Sequence, residues 1–327
     1  MVKKVFQFLL FLGIGVSIMA WLFNSQSAAF QEQCRLDGIS PDQCSLADKL
    51  MQDFGTVNIW WILAVLMAFT MSNIFRAWRW QMLLEPMGYK VGFGNSLMTI
   101  LVSYLANLFI PRMGEVGTLV VDRLMDFICL LLVVGMAFLL EGNTLLAFIS
   151  QNKKADSGGG LLSNPLVWGL LAAMALVAVL MYGLRKKLAE IALFRKVGTL
   201  LKGFLDGLRS VFKLKNPALF IAYSLGIWVM FYLQCLFNLQ AFPPTAQLGW
   251  SAAMMVFVFG TFGFVIPSPG GMGTFHALSI ASLALYGISG SDGFSYANIA
   301  FFSVQIFYNV VAGGVSLLLL PRWNKRH

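Results

Sequence analysis

Apolar residues run in blocks of membrane-spanning length along this chain, with short polar stretches between them. Six blocks approach the ~20 residues that cross a bilayer core: Val5–Phe23, Val57–Ala77, Leu119–Leu140, Val167–Leu184, Ala218–Gln240 and Ala297–Leu320. Three more are shorter or interrupted: Phe93–Phe109, Ala252–Ile266 and Met272–Ile288. The pattern predicts an all-α, polytopic integral membrane protein of about six full spans plus Gly/Pro-broken or re-entrant segments. All 327 residues read as a single transmembrane domain. Lys3 and Lys4 before an apolar run imitate a signal peptide, but the run is longer than a signal core and further spans follow, so it reads as a retained first helix.

Composition agrees: 58% of residues are hydrophobic, 11% are charged, and the mean hydropathy is +0.76. The net charge of +9 is distributed unevenly. Between Arg185 and Lys215 stand nine Lys/Arg against Glu190 and Asp206, and both termini are basic. The positive-inside rule puts these segments, and the termini, in the cytoplasm. The loop from Asn24 to Asp53, with five acids and two bases, falls outside. The segment 185–215 reads as a basic amphipathic surface segment. No basic soluble domain is left to bind nucleic acid. Cys34 and Cys44 share the outer loop, where an oxidising compartment would let them pair; two free thiols are the alternative.

The stretch "IPSPGGMGT" (Ile266–Thr274) interrupts an apolar region with two prolines and three glycines. It echoes "IPRMGEVGT" (Ile110–Thr118) at Ile, Pro, two Gly and Thr. Paired Gly/Pro breaks in two halves point to an internal, inverted repeat with a site at the breaks. Pro267 removes a backbone donor, and Gly270, Gly271 and Gly273 loosen the chain. A helix restarting there would aim its first N–H groups at an anion. Arg112 and Glu115 lie in the first break. Asp122, Arg123 and Asp126 follow, spaced so that all three can share a face. Ionisable groups at membrane depth pair or line a pathway, and for Asp122 and Arg123 marking the cytoplasmic interface is the alternative. Arg76 and Arg79, in "FRAWRW", read either as an interfacial anchor at a helix end or as a headgroup site. The pairs Gln234/Asn238 and Gln305/Asn309 read as helix–helix hydrogen bonders. His276 reads as a hydrogen-bonded interior histidine, with a proton relay the alternative. With His276 and His327 the only histidines, a histidine-rich metal site is excluded, and no HExxH or GxSxG motif occurs. No cofactor and no metal are expected.

Taken in order, "FRAWRWQMLLEPMG", "YLANLFIPRMGEV", "VVDRLMDFICLLL" and "IPSPGGMGTFHA" resemble the transmembrane region of the lysylphosphatidylglycerol synthase, or flippase-like, family. The resemblance covers essentially the whole chain. It implies an all-helical bacterial inner-membrane protein with re-entrant helices that moves a lipid between leaflets. The expected partners are anionic or aminoacylated phospholipid or a lipid-linked glycan, and a homodimer is compatible with it. The soluble aminoacyl-transferase domain of the synthases is not expected, so the lipid-synthesising activity is not carried over and the chain reads as a non-enzyme. Two departures stand out: "GEV" runs almost directly into "GTLVVDRLMD" where the family pattern has a basic loop and a helix, and His276 stands where many relatives carry an acid. The expected headgroup contacts are Arg112 and the backbone of Gly270–Gly273 to phosphate, with Glu115 and Asp126 to any cationic part. A membrane-embedded transferase acting on a lipid-linked substrate, or a non-transporting partner subunit, is the alternative reading.

Overall fold

The computed structural model describes residues 2–39, 44–109, 120–151, 211–266 and 268–324. The described residues are helical throughout, with no strand among them. Ten helices are described: α1 (Val2–Leu36), α2 (Leu46–Thr56), α3 (Ile59–Leu84), α4 (Phe93–Phe109), α5 (Val120–Gln151), α6 (Pro217–Ala241), α7 (Trp250–Val265), α8 (Thr274–Ala284), α9 (Gly290–Phe301) and α10 (Asn309–Asn324). A π-helical segment, Phe302–Tyr308, joins α9 to α10 without a break. Among the described residues, four stretches are long and apolar enough to cross a membrane: Ile59–Met87, Val121–Thr144, Pro217–Ala241 and Gly290–Trp323. The predicted first span lies within the continuous helix α1, whereas Val167–Leu184 and most of the basic segment 185–215 lie outside the described residues.

The polar stretch 24–53 is not all loop. α1 runs on to Leu36, because "FNSQSAAFQEQCRL" contains no Gly or Pro to stop it and Glu32 pairs with Arg35 at 2.6 Å one turn on. α2 then starts at Ser45, whose hydroxyl accepts from the Asp48 N–H as an N-cap. The structure joins Cys34 to Cys44, tying the end of α1 to the start of α2. Lys49 Nζ donates to Asp53 at 2.6 Å and to Asp292, in the first turn of α9, at 2.7 Å. Ser295 of α9 donates to the same Asp53 carboxylate. The apolar side of α2, Leu46 and Leu50, packs with Leu22 and Phe294.

Contacts between helix ends fix the topology. Asn58 N–H, before α3, donates to the carbonyl of Ala241, the last residue of α6. Gln240 Nε2, next to the last residue of α6, donates to the Leu248 carbonyl just before α7, so α7 starts beside the end of α6. α2, the starts of α3, α7 and α9 and the end of α6 therefore gather at one end of the bundle. At the other end Glu85, after α3, pairs with Lys215, before α6, and Gly94 of α4 lies against Trp323 of α10.

α7 and α8 do not cross. At 1.5 Å per residue, their 16 and 11 residues reach ~24 Å and ~17 Å, short of the ~30 Å hydrocarbon core. They form a hairpin that enters at the α2 end, turns inside the bundle and returns. α4 comes from the opposite end, and its described part ends at Phe109. The two meet: a Cβ on Gly270, in the hairpin tip, would stand 3.3 Å from Leu108, next to the last residue of α4. Glycines allow the close approaches this requires. A Cβ on Gly263 of α7 would lie 2.6 Å from the Phe275 Cα, and one on Gly313 of α10 would lie 2.8 Å from the Leu101 carbonyl of α4.

Two predictions follow from this packing. Gly263→Ala is expected to destabilise the protein by about 1–3 kcal/mol, because the opposing atom is backbone and cannot swing aside. Gly135→Ala in α5, whose Cβ would meet nothing within 4 Å, is expected to be neutral or slightly stabilising; thermal unfolding of both variants in one detergent checks the contrast. The second concerns Lys49, which lies outside the spans. Burial alone would push its ammonium pKa down, but the hydrogen bonds and charges of Asp292 and Asp53 outweigh burial and hold it above the ordinary lysine value. The bridge is therefore fully present below the unfolded-state value of about 10.4 and is lost as pH rises through the higher folded value. Lys49→Met should lower the unfolding temperature at neutral pH and flatten its alkaline decline above about pH 10.4.

Candidate functional site

The most buried large side chain described is a charged one. Arg79 has no solvent exposure, although it lies five residues from the end of α3. It is not an interfacial anchor: the helix continues beyond it, and α5 supplies its counter-charge. Asp122 and Asp126 stand one turn apart on α5 and so share a face. Arg79 Nη1 donates to Asp126 Oδ1 at 2.8 Å and to Ser224 Oγ of α6 at 3.3 Å. Arg79 Nη2 stands 2.7 Å from Asp122 Oδ1, a close charge contact whose angle falls outside hydrogen-bond geometry. One arginine thus binds three spanning helices together. Arg123, between the two acids in sequence, is exposed, and its charge acts on both of them through space.

Arg76 lies one turn earlier on α3 and meets different partners. Its guanidinium carbon is 5.6 Å from the Tyr104 ring centre of α4 and 5.7 Å from that of Phe231 on α6. Such cation–π contacts contribute about 0.5–2 kcal/mol, depending on how dry the site is. Phe69 and Tyr308 complete the aromatic surround. Phe69 lies 5.5 Å from Tyr104, 6.3 Å from Phe231 and 4.9 Å from Tyr308, centre to centre. With Asp122 and Asp126, the two arginines make a cluster of two cations and two anions.

The hairpin tip is held by one hydroxyl. Thr274 Oγ1 lies 2.7 Å from the Gly263 carbonyl and 3.2 Å from the Gly271 carbonyl, and it exchanges a hydrogen bond with Ser268 Oγ at 3.0 Å. Gly270, Gly271 and Gly273 adopt φ of 58°, 81° and 80°, the left-handed region that side chains disfavour. A Cβ on Gly273 would stand 2.8 Å from the Gly15 carbonyl of α1, so the tip is closed against that helix. His276 is 1% exposed, with ring centres 5.8 Å from Phe275 and 4.9 Å from Phe301. It is an interior residue, as expected, and its Nδ1 has no hydrogen-bond partner among the described residues.

Arg112, Glu115 and Pro267 lie outside the described residues. Of the other expected site residues, the structure groups Arg76, Arg79 and Asp126 at the α3–α5–α6 junction and Gly270, Gly271, Gly273 and His276 at the tip. α4 connects the groups: Tyr104 touches Arg76, and Leu108, four residues on and on the same face, touches Gly270. The contact points are about one helical turn, ~6 Å, apart. Ser224, Tyr104 and Phe231 were not legible as partners, since nothing in an apolar run marks which hydroxyl or ring will face an arginine. Within the pair Gln305/Asn309, Asn309 Nδ2 donates to Gln305 Oε1 at 3.2 Å, inside one helical stretch rather than between helices.

Arg79→Met is expected to destabilise strongly, by about 3–5 kcal/mol, because it leaves two buried carboxylates facing each other. Combining it with Asp122→Leu and Asp126→Leu should recover most of that loss, since an apolar replacement of a whole buried ion cluster is often neutral. Unfolding midpoints of the single and triple variants in the same detergent measure the difference.

The family described as the lysylphosphatidylglycerol synthase transmembrane region matches residues 46–313. No curated protein and no solved structure matches the chain. The matched region takes in every element of the charge cluster and the hairpin tip, and covers more than three-quarters of the sequence. The chain therefore belongs to the lysylphosphatidylglycerol synthase transmembrane-region family.

Proposed function

We propose that this protein is a lipid flippase that moves a phospholipid or lipid-linked molecule between the leaflets of a bacterial inner membrane, with both termini in the cytoplasm. The observation that carries this reading is the meeting of α4 and the α7–α8 hairpin, which enter from opposite ends and touch at Leu108 and Gly270, one turn from a buried arginine. A hairpin that turns back inside the bundle brings polar backbone to a depth that a headgroup must pass.

In this reading the headgroup passes at the junction while its tails stay in the bilayer. Phe264, Val265 and Ile266, exposed beside the tip, offer an apolar wall for those tails. Arg112 and the backbone of Gly270–Gly273 meet the phosphate, and Glu115 meets a cationic part where the lipid carries one. Asp126 is occupied by Arg79, so a cationic headgroup would have to compete with an arginine at 2.8 Å for it. Glu115 is therefore the stronger candidate. No covalent step is needed, and the protein acts as a transporter rather than an enzyme.

Purified protein in vesicles containing a headgroup-labelled phosphatidylglycerol is expected to expose inner-leaflet label to a membrane-impermeant quencher. Arg112→Ala and Glu115→Ala should each slow that exposure at least about tenfold, the equivalent of ~1.4 kcal/mol in the barrier. Rates equal to the unmutated protein in both variants would remove these residues from the path.

A further inference from the structure

Arg76 and Arg79 are one turn apart on α3, yet the fold treats them oppositely. Arg79 receives two carboxylates and a serine hydroxyl. Arg76 has neither an ion pair nor a hydrogen bond among the described residues; its Nε is buried without a partner. Its guanidinium lies between the faces of Tyr104 and Phe231 and feels the charges of Asp126 and Asp122 through space, without touching either. Stacking of this kind leaves the edge of the guanidinium, with its five N–H donors, free to meet an acceptor. One turn before it, on the same face, Asn73 spends its amide N–H on the Phe69 carbonyl, while its own carbonyl oxygen is buried and unpartnered. A buried donor of Arg76 and the buried Asn73 carbonyl oxygen thus lie one turn apart on α3, neither with a hydrogen-bond partner among the described residues. Unmatched polar groups at this depth are costly unless something completes them.

We infer that Arg76 is the anchor for the phosphate of a phospholipid headgroup, with the Asn73 carbonyl accepting from a hydroxyl or ammonium on that headgroup. The chemistry fits both atoms: a phosphodiester offers paired oxygens to a planar fork, and the aromatic faces already fix the plane of that fork. Asp122 and Asp126 make their close contacts with Arg79 and reach Arg76 only through space, so the N–H edge of Arg76 has no carboxylate against it among the described residues. The position suits entry to the path. Arg76 is eight residues, ~12 Å, from the Leu84 end of α3, where Glu85 and Lys215 pair, and one turn of α4 from the hairpin tip. The inference deepens the transport reading and rests on it for its meaning, but the site itself is tested by binding alone.

The test uses the full chain purified in a neutral detergent, titrated separately with dioleoyl phosphatidylglycerol, dioleoylglycerol and sodium phosphate. Lipid retention is read by native mass spectrometry and protection by the unfolding midpoint. Phosphatidylglycerol is expected to be retained and to protect; dioleoylglycerol, which lacks the phosphate, is not. Arg76→Gln should weaken phosphatidylglycerol binding at least about tenfold. Should that variant fail to fold, Tyr104→Leu and Phe231→Leu keep the charge but remove the faces that orient it, and should each weaken binding severalfold. Lys215→Gln, in an exposed pair, should change nothing. Equal retention of phosphatidylglycerol by Arg76→Gln, or by both ring variants, would overturn the assignment. Protection by sodium phosphate alone would make this a free-anion site and overturn the lipid. Binding lost in Arg76→Gln while the unmutated protein moves no lipid in vesicles would leave the site standing and remove the transport reading; lipid movement with no Arg76-dependent binding would do the reverse.

Discussion

A chain that leaves the helix inside hydrocarbon exposes amide and carbonyl groups that no lipid tail can satisfy. The turn between Val265 and Thr274 meets that constraint with very little. One threonine hydroxyl reaches the carbonyls of Gly263 and Gly271, one serine completes it, and three glycines with positive φ allow the chain to reverse. Everything around the turn serves to cover it. α1 closes on Gly273, α4 presents Leu108 to Gly270, and Phe275 lies against Gly263 with no room for a methyl group. The hairpin is therefore a consequence of glycine placement as much as of proline. Where a Cβ would collide with backbone, the helices could not approach closely enough to keep the break dry.

The second organising force is electrostatic. Arg79 ties α3, α5 and α6 together through two carboxylates and a hydroxyl, and it takes the close contacts of both acids, which reach Arg76 only through space. The two arginines thus divide two roles between them. Arg79 fixes three helices in register, while Arg76, held by aromatic faces, keeps its donors available. The Lys49 bridge plays a comparable part at the other end, where it fastens α2 to the start of α9 beside the Cys34–Cys44 link. Between these two polar fastenings, α4 and the hairpin approach from opposite ends.

Much of this was legible in the sequence. Hydropathy marked the spans, the Pro/Gly cluster marked the break, and the four-residue spacing of Asp122 and Asp126 placed both on one face. The pairing of those acids with Arg79 was not legible, because Arg79 and Asp126 are 47 residues apart and nothing local relates them. An arginine beside tryptophans near the end of an apolar run is indistinguishable, residue by residue, from an interfacial anchor; only the tertiary position of α5 separates the two. The stretch after Phe23 looked like loop because it is polar. It is helix because it contains no breaker until Gly38, which shows that polarity alone does not end a helix. His276 drew attention as a rare residue type, but its surroundings are rings, a property of the fold rather than of its neighbours in sequence.

The central claim is that α7 and α8 enter and leave at the same membrane face, and side-specific cysteine labelling tests it most directly. Cys129 and Cys235 would be replaced by alanine, and single cysteines placed at Gln247 and Gly287, which flank the hairpin, at Ala47 on α2, and at Lys213 at the opposite end. An impermeant thiol reagent added outside intact cells should modify the cysteines at 247, 287 and 47 alike and spare that at 213. Modification of 247 and 287 from opposite sides would mean that the segment crosses the membrane, and would contradict the account.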